Sequence, residues 1–354
     1  MSSETTTIES GAATLGERLT AAGLEISGPR VPRHPDIARW RAGTRDDIDA
    51  LHALFAAADR VDHPTWTTPR EEVEEHFDLP ELDPDRDLIV AIAENGTMVA
   101  AGLVLRHPDM SARVKVYLQG AVHPQWRRRG IGAALARWQF GRGLQRLAES
   151  ESALPGEIVV YADEGNDGAV AIAEALGLRT VRWFASMVRD NAIPVPDLAP
   201  VDGIAFVSYT SDRAEDARQA RNDAFRDHWG SLQTTPERWG QFVGGTFFRS
   251  DLSTLALDPE GRIVAFCLAS VNEDDWETLG ASNSYIDLIG VVRDQRGRGL
   301  APRVVARTLQ AMTDAGLEKA VLDVDTESPT GANTLYERLG FVATERSRAL
   351  TREF

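Results

Sequence analysis

One fifteen-residue pattern occurs twice in this chain, and that repetition constrains the fold more than composition does. "AVHPQWRRRGIGAAL" occupies Ala121–Leu135 and "VVRDQRGRGLAPRVV" occupies Val291–Val305. Each sets arginines and two glycines between an apolar run and an amphipathic one. The copies extend outward in the same order. "DHPTWTTPREE" (Asp62–Glu72) is echoed by "DHWGSLQTTPE" (Asp227–Glu237), "GTMVAAGLVL" (Gly96–Leu105) by "GRIVAFCLAS" (Gly261–Ser270), and "AIAEALGL" (Ala171–Leu178) by "TLYERLGF" (Thr334–Phe341). Asp62 to Asp227 is a shift of 165, Arg127 to Arg296 of 169, and Leu176 to Leu339 of 163. A nearly constant shift over four ordered segments marks a duplication. Its unit, about 150 residues, is the size of a domain.

At 354 residues the chain exceeds one ordinary core, and two domains follow. "DNAIPVPDLAPVDG" (Asp190–Gly203), with three prolines, reads as a linker. The expected division is an N-terminal extension over 1–36, a first domain over 37–193, a linker over 194–203 and a second domain over 204–354. A formal net charge of −16 argues against a nucleic-acid partner held by phosphate contacts and is compatible with a cationic small molecule. The one cysteine, Cys267, excludes an intramolecular disulfide and a cysteine-based zinc cluster; within "RIVAFCLASV" it reads as a buried strand thiol. "MSSETTTIES" lacks the basic and apolar segments of a secretory signal, and no apolar run reaches membrane-spanning length. The expectation is a soluble cytoplasmic protein, monomer or homodimer, without membrane, nucleic-acid or metal partners.

Both halves read alike. A helix precedes two strands joined by the hairpin signals "ENG" and "PEG". Then follow a strand ("VKVYLQGAV"; "SYIDLIGVV"), the arginine-glycine stretch and a helix with Val305, Leu309 and Met312 at helical spacing. Another strand ("EIVVYAD"; "AVLDVD") leads to a short helix and an "LG" turn. This order implies an α/β or α+β fold. Helix is also expected around "LGERLTAAGL", and "NEDDWE" (Asn272–Glu277) reads as a solvated hairpin.

A glycine-rich turn from strand to helix cradles phosphate. Glycines admit close backbone approach, and the free N–H groups of the first helical turn face an anion. Pro302 suits that turn, and arginines would add charge-assisted hydrogen bonds. Neither half has the G-K-[ST] of a nucleotide P-loop or a complete G-x-G-x-x-G. The motif present is R-x-x-G-x-[GA]: Arg127, Gly130, Gly132, and Arg296, Gly299, Ala301. With the preceding strand, the following helix and "ANTLYERLGF" (Ala332–Phe341), it resembles the coenzyme A loop of the GNAT-superfamily N-acetyltransferases. The resemblance covers nearly the whole chain, twice, and its tandem form is similar to the mycothiol synthase type. It implies two tandem GNAT-like domains, each a mixed, mostly antiparallel sheet flanked by helices, and acetyl-CoA as cosubstrate. The residues it assigns to CoA are Val291, Val292, Arg296, Gly297, Arg298, Gly299, Leu300, Ala301, Ala332 and Asn333. In the first half they are Val122, Arg127, Arg129, Gly130, Ile131 and Gly132.

Acetyl transfer to an amine needs a proton acceptor, donors for the developing oxyanion and an acid for the departing thiolate. The resemblance assigns the acid to Tyr336, where the first half has Ala173. Asp287 is the candidate base, with a water relay, Asp323 or Asp325 as alternatives, although those two alternating aspartates read first as a solvated strand edge; strand alternation puts Tyr285 on the face of Asp287. A shift of 169 maps Tyr285 and Asp287 onto Val116 and Leu118. The first half therefore reads as a cradle without proton chemistry. Tyr285, His228, Trp229 and Trp239 are acceptor-side candidates, although Asp62-His63 repeats Asp227-His228. The implied function is transfer of an acetyl group from acetyl-CoA to a primary amine of a small molecule. The alternatives are a CoA-binding regulatory or scaffold protein without turnover, or mycothiol synthase proper.

Overall fold

The computed structural model describes residues 13–62, 66–107, 112–226, 233–327 and 331–354. Helix α1 (Leu15–Ala21) leads into the first half. There β1 (Arg39–Ala42), α2 (Ile48–Asp62), α3 (Arg70–His76) and α4 (Pro84–Asp87) precede β2 (Leu88–Ile92), β3 (Met98–Arg106) and β4 (Val114–Val122). Then come α5 (Ile131–Ala148), β5 (Gly156–Asp163), α6 (Asp167–Ala175) and β6 (Arg179–Asp190). The second half repeats the order. It has β7 (Ala205–Ser208), α7 (Ala214–Ala224), α8 (Pro236–Gly244), β8 (Thr254–Leu257), β9 (Ile263–Ser270), α9 (Asp274–Leu279) and β10 (Asn283–Val291). It closes with α10 (Leu300–Asp314), β11 (Lys319–Asp325), α11 (Ala332–Arg338) and β12 (Val342–Glu353).

Local chemistry explains these elements. Gly96 and Gly261 adopt φ of 83° and 81° in the two hairpin turns, where a side chain would be strained. Helix α10 buries Leu300, Val304, Val305, Thr308, Leu309 and Met312, a single stripe at helical period, and Gly316 at φ 79° ends it. The "NEDDWE" segment is a correction: it forms α9 rather than a hairpin. Asp275 of that helix accepts the Thr67 N–H at 2.8 Å, so the acidic run docks on the first half instead of facing only water.

The described strands form one sheet in the order β1-β2-β3-β4-β5-β12-β6-β11-β10-β9-β8-β7. Neighbours are antiparallel except β4 with β5 and β10 with β11. The last strand of each half has crossed over. β12 pairs with β5 of the first half, β6 pairs with β11 of the second, and the two crossed strands pair with each other. Phe184 pairs directly with Ser347. Those two positions differ by 347 − 184 = 163, the shift of the repeat itself, so the pseudo-twofold axis passes between them. Asp323 and Asp325, read as a strand edge, lie on an interior strand because β6 covers β11.

Neither half completes its sheet from its own residues. The intact chain is expected to melt in one calorimetric transition with a calorimetric to van't Hoff enthalpy ratio of about 1. A segment cut to 37–193 is expected to show no cooperative transition. Two resolved transitions in the whole chain would mean that the crossed strands do not couple the halves.

Candidate active site

The second half opens a gap beside β10. Its parallel ladder with β11 covers only Asn283↔Lys319, Ser284↔Ala320 and Tyr285↔Val321. Beyond Tyr285, β10 follows β9 while β11 follows β6, and the two diverge. The ladder to β9 also slips at this point: Ile286 faces Ala269, Leu288 faces Leu268, and Asp287 is the extra residue of a bulge. A bulge bends its strand and re-aims the inserted side chain. Of the two strand-end valines assigned to CoA, Val292 is corrected as a backbone partner. Its N–H donates to the Val264 carbonyl at 3.0 Å, and its carbonyl accepts from the Gln295 N–H at 3.0 Å. By antiparallel alternation the backbone of Val291 then faces the gap.

The gap leads to the loop. Gly297 and Gly299 adopt φ of 78° and 70°, and α10 opens at Leu300. Among the described residues the N–H groups of Gly297, Arg298 and Gly299 find no backbone acceptor. Leu300 and Ala301 begin the helix, where N–H groups lack intrahelical partners, and Pro302 has none to leave unsatisfied. The result is an anion cradle made of backbone. The first arginine of each motif is not aimed at phosphate. Arg296 donates to the Ala224 carbonyl at 2.8 Å, and Arg127 grips Asp62 through two bonds of 2.7 Å. These side chains brace the loop against the helix before it. Asp62, one of the residues of the sequence repeat, thus has a bracing role in the first half. Arg298 donates to Gln295 and the Asp202 carbonyl, which fastens the linker beside the cradle.

Three side chains could handle protons near the gap. Asp287 Oδ1 accepts from Ser270 Oγ at 3.1 Å, whereas Oδ2 is buried with no hydrogen-bond partner. Burial pushes its pKa up to about 7. The Tyr285 hydroxyl donates to Asp323 Oδ2 at 2.9 Å, and Ser186 Oγ donates to Oδ1 at 2.6 Å. Burial, and then the charges of Asp323 and Asp287, hold Tyr285 well above the usual phenol range. Tyr336 is 8% exposed, packs edge-on against Phe341 at 6.0 Å, and is likewise pushed up by burial. It keeps its proton at physiological pH. Cys267 is fully buried in β9 with its thiol pushed up to about 12, a structural thiol as its sequence context suggests.

The remaining candidates divide. Ala332 and Asn333 open α11, and the Asn333 amide donates to the Thr326 carbonyl at 3.1 Å. His228 and Trp229 lie outside the described residues. Trp239 is corrected: it is 3% exposed, packs on Phe242 at 5.6 Å, and belongs to the core rather than an acceptor pocket. Asp325 is held by Arg182 at 3.2 Å. Sequence reasoning missed Ser270 and Ser186, whose hydroxyls orient the two carboxylates; a lone serine at a strand end carries no signal of that role.

The first half has kept the shape without these groups. The β3–β4 register runs unbroken from Ala100↔Val122 to Arg106↔Val116, so no bulge forms at Leu118. Ala173 is buried where Tyr336 stands in the other half. The loop persists around Arg129, Ile131 and Gly132, with Gly130 at φ 92°. Arg128 takes φ 63° in place of Gly297, a conformation that costs a non-glycine residue about 1–2 kcal/mol. A cavity of about 850 Å³ runs from Arg128 and Gly130 past Leu118 and Ala173 to Ser186 and Asp323.

The comparisons with known proteins bear on the family and the fold. The "Acetyltransferase (GNAT) family" matches residues 214–341, and the "Acetyltransferase (GNAT) domain" matches residues 39–179. A mycothiol acetyltransferase of Salinispora tropica is 30% identical over 300 residues, 83% of this chain and 89% of the relative. Another, of Nocardia farcinica, is 29% identical over 84% of this chain and 91% of the relative. The crystal structure of a GCN5-related N-acetyltransferase from Sphaerobacter thermophilus superposes with a TM-score of 0.69 at 26% identity, covering 91% of this chain and 97% of that one. A tandem GNAT protein from the clavulanic acid biosynthesis pathway shares the fold, with a TM-score of 0.62 at 19% identity over 89% of this chain and 98% of that one. The chain belongs to the GNAT acetyltransferase family, as a member with two such domains in tandem. It is accordingly an N-acetyltransferase that takes acetyl groups from acetyl-CoA to the amine of a small molecule. None of its described helices is long and apolar enough to cross a membrane, and no group of three or more metal-ligating side chains occurs among the described residues.

Asp287 gives a stability test. Its folded pKa of about 7 lies above the ordinary carboxylate value, so the native protein holds a proton that the unfolded chain has lost between about pH 4 and 7. That contribution is fully present below pH 4 and is lost as pH rises through 7. Asp287→Asn is therefore expected to raise the unfolding free energy by about 2–4 kcal/mol at pH 8 and by much less at pH 4, read from denaturant melts at both pH values. Equal effects at both would show that Asp287 titrates normally.

Proposed function

We propose that the second half, residues 204–354, carries turnover, and that the first, residues 37–193, is a CoA-binding domain without proton chemistry. The observation that carries this reading is the buried, partnerless Oδ2 of Asp287 on the bulge beside the open edge of β10, which the first half lacks. The backbone cradle at Gly297–Ala301 and the free edge at Val291 fit a diphosphate joined to an extended amide-bearing arm.

Acetyl-CoA supplies the thioester carbonyl and the sulfur leaving group. Asp287 Oδ2, with a pKa of about 7, is matched to receive the amine's proton directly or through water. Ser270 holds the other oxygen, so the carboxylate cannot turn away. Backbone N–H groups of β10 past the bulge face the gap and are the donors available to an oxygen gaining charge. Tyr336, kept protonated by burial, gives its proton to the departing sulfur. Tyr285, held by Asp323, forms a fixed polar wall on the acceptor side. The acceptor is a primary amine; the relatives' mycothiol acetyltransferase activity supports one related to mycothiol.

An amine panel with acetyl-CoA, read by release of free thiol, tests turnover. Tyr336→Phe is expected to lower kcat by about 10-fold to 10⁴-fold. A folded variant with full kcat would remove Tyr336 as the acid. Asp287→Asn is expected to lower kcat/KM at pH 7 and to recover part of it at higher pH, where more amine is already neutral. A wild-type pH profile would transfer the role to bound water. Gly299→Asp sets a carboxylate in the cradle and is expected to weaken acetyl-CoA binding by about 10-fold or more in calorimetry; unchanged affinity would sink the cradle assignment.

A further inference from the structure

Arg189 is fully buried at the end of β6, the strand that the first half contributes to the second. Its guanidinium donates to five acceptors, and none is a carboxylate. Nε reaches the Leu339 carbonyl at 2.7 Å, and Nη1 reaches the Asp190 carbonyl and Asn191 Oδ1, each at 3.2 Å. Nη2 reaches the carbonyls of Ile193 at 2.6 Å and Pro194 at 3.4 Å. Leu339 is the residue that caps α11, one turn beyond Tyr336. The turn that follows closes on the same helix: the Leu339 and Phe341 N–H groups both donate to the Tyr336 carbonyl at 3.0 Å. Asn191 extends the anchor, because its amide donates to the Leu317 carbonyl ahead of β11.

The other half holds the mirror image. A shift of 163 carries Arg189 onto Arg352 and Leu339 onto Leu176. Arg352, at the end of the crossed β12, donates to the Leu176 carbonyl at 2.8 Å and lies over the rings of Phe140 and Phe354. Each half thus sends an arginine across the axis to hold the C-terminal end of the other half's short helix. Only one of those helices carries a tyrosine.

We infer that Arg189 is the positioning residue for Tyr336: a side chain of the first half sets the placement of the acid in the second. The role rests on the reading of Tyr336 as the acid. A guanidinium suits the position because its planar fork serves several carbonyls at once, which an ammonium cannot match. Its positive charge also lies where a helix presents its carbonyl end. Arg352 does equivalent work on a helix with Ala173, so its loss should touch stability alone.

The test compares Arg189→Lys with Arg352→Lys in the full chain, with Arg189→Gln as a second variant should the first not fold. The chain has five tyrosines, so labelling them with ¹³C at Cζ gives a short spectrum in which Tyr336 is the signal lost in Tyr336→Phe. Arg189→Lys is expected to shift that signal, to lower kcat by about 10-fold and to leave the acetyl-CoA KM within about 2-fold. Arg352→Lys is expected to leave both the signal and kcat unchanged. Added to Tyr336→Phe, Arg189→Lys should cost little more, since both act through one hydroxyl. An unmoved Tyr336 signal, or losses that multiply in the double variant, overturns the inference. Full kcat in Tyr336→Phe would instead strike the acid reading, while the tyrosine signal would still decide whether Arg189 sets the position of that ring.

Discussion

The exchange of β6 and β12 is the constraint on which the rest depends. A strand buried between two others leaves no unpaired ladder, and here each half's ladder is completed by the other's final segment. The direct pairing of Phe184 with Ser347 sets the axis, and the halves cannot rotate about it without breaking both flanking ladders. The parallel strands β5 and β11 are thereby held from their far sides. That leaves β4 and β10 free to lean away and open the two gaps.

Within nearly equal frames, differences at a few positions have a large chemical effect. A bulged aspartate stands against an unbroken leucine register, and a tyrosine against an alanine. The first-half loop even tolerates a left-handed arginine where the second has glycine. A cavity of about 850 Å³ lies beside that loop, with Leu118 and Ala173 lining it where the second half has Asp287 and Tyr336. It ends at Ser186 and Asp323, and Asp323 also holds Tyr285, so the two clefts share a polar wall.

Much of this was legible in the sequence because the signals were local. Hairpin glycines, the loop motif and the α10 stripe each report on neighbours within a few residues, and their repetition at a fixed shift compensated for the weakness of any one. The crossed strands were not legible. The last part of β6 alternates, with Ala185, Met187 and Arg189 buried, but nothing in "RTVRWFASMVRD" says which half it will pair with. The misreadings share this cause. Asp323 and Asp325 looked like edge residues because the strand covering them belongs to the other half. The acidic run at Asn272–Glu277 looked solvated because its partner, Thr67, lies about 200 residues earlier. The arginines looked like phosphate ligands because Asp62 and Ala224 approach them only in the folded chain.

The crossing also imposes an order on biosynthesis. When β5 leaves the ribosome its outer edge has no partner, and the strand that will cover it begins at Val342, 342 − 163 = 179 residues after β5 ends. At translation rates of about 5–20 residues per second, that edge stays open for roughly 10–40 s. An unpaired strand edge is a template for pairing with other nascent chains. Tyr161 of β5, 51% exposed even in the finished fold, sits on that waiting edge. Crowded polysomes should therefore press harder on this protein than on one whose sheets close in the order they are made.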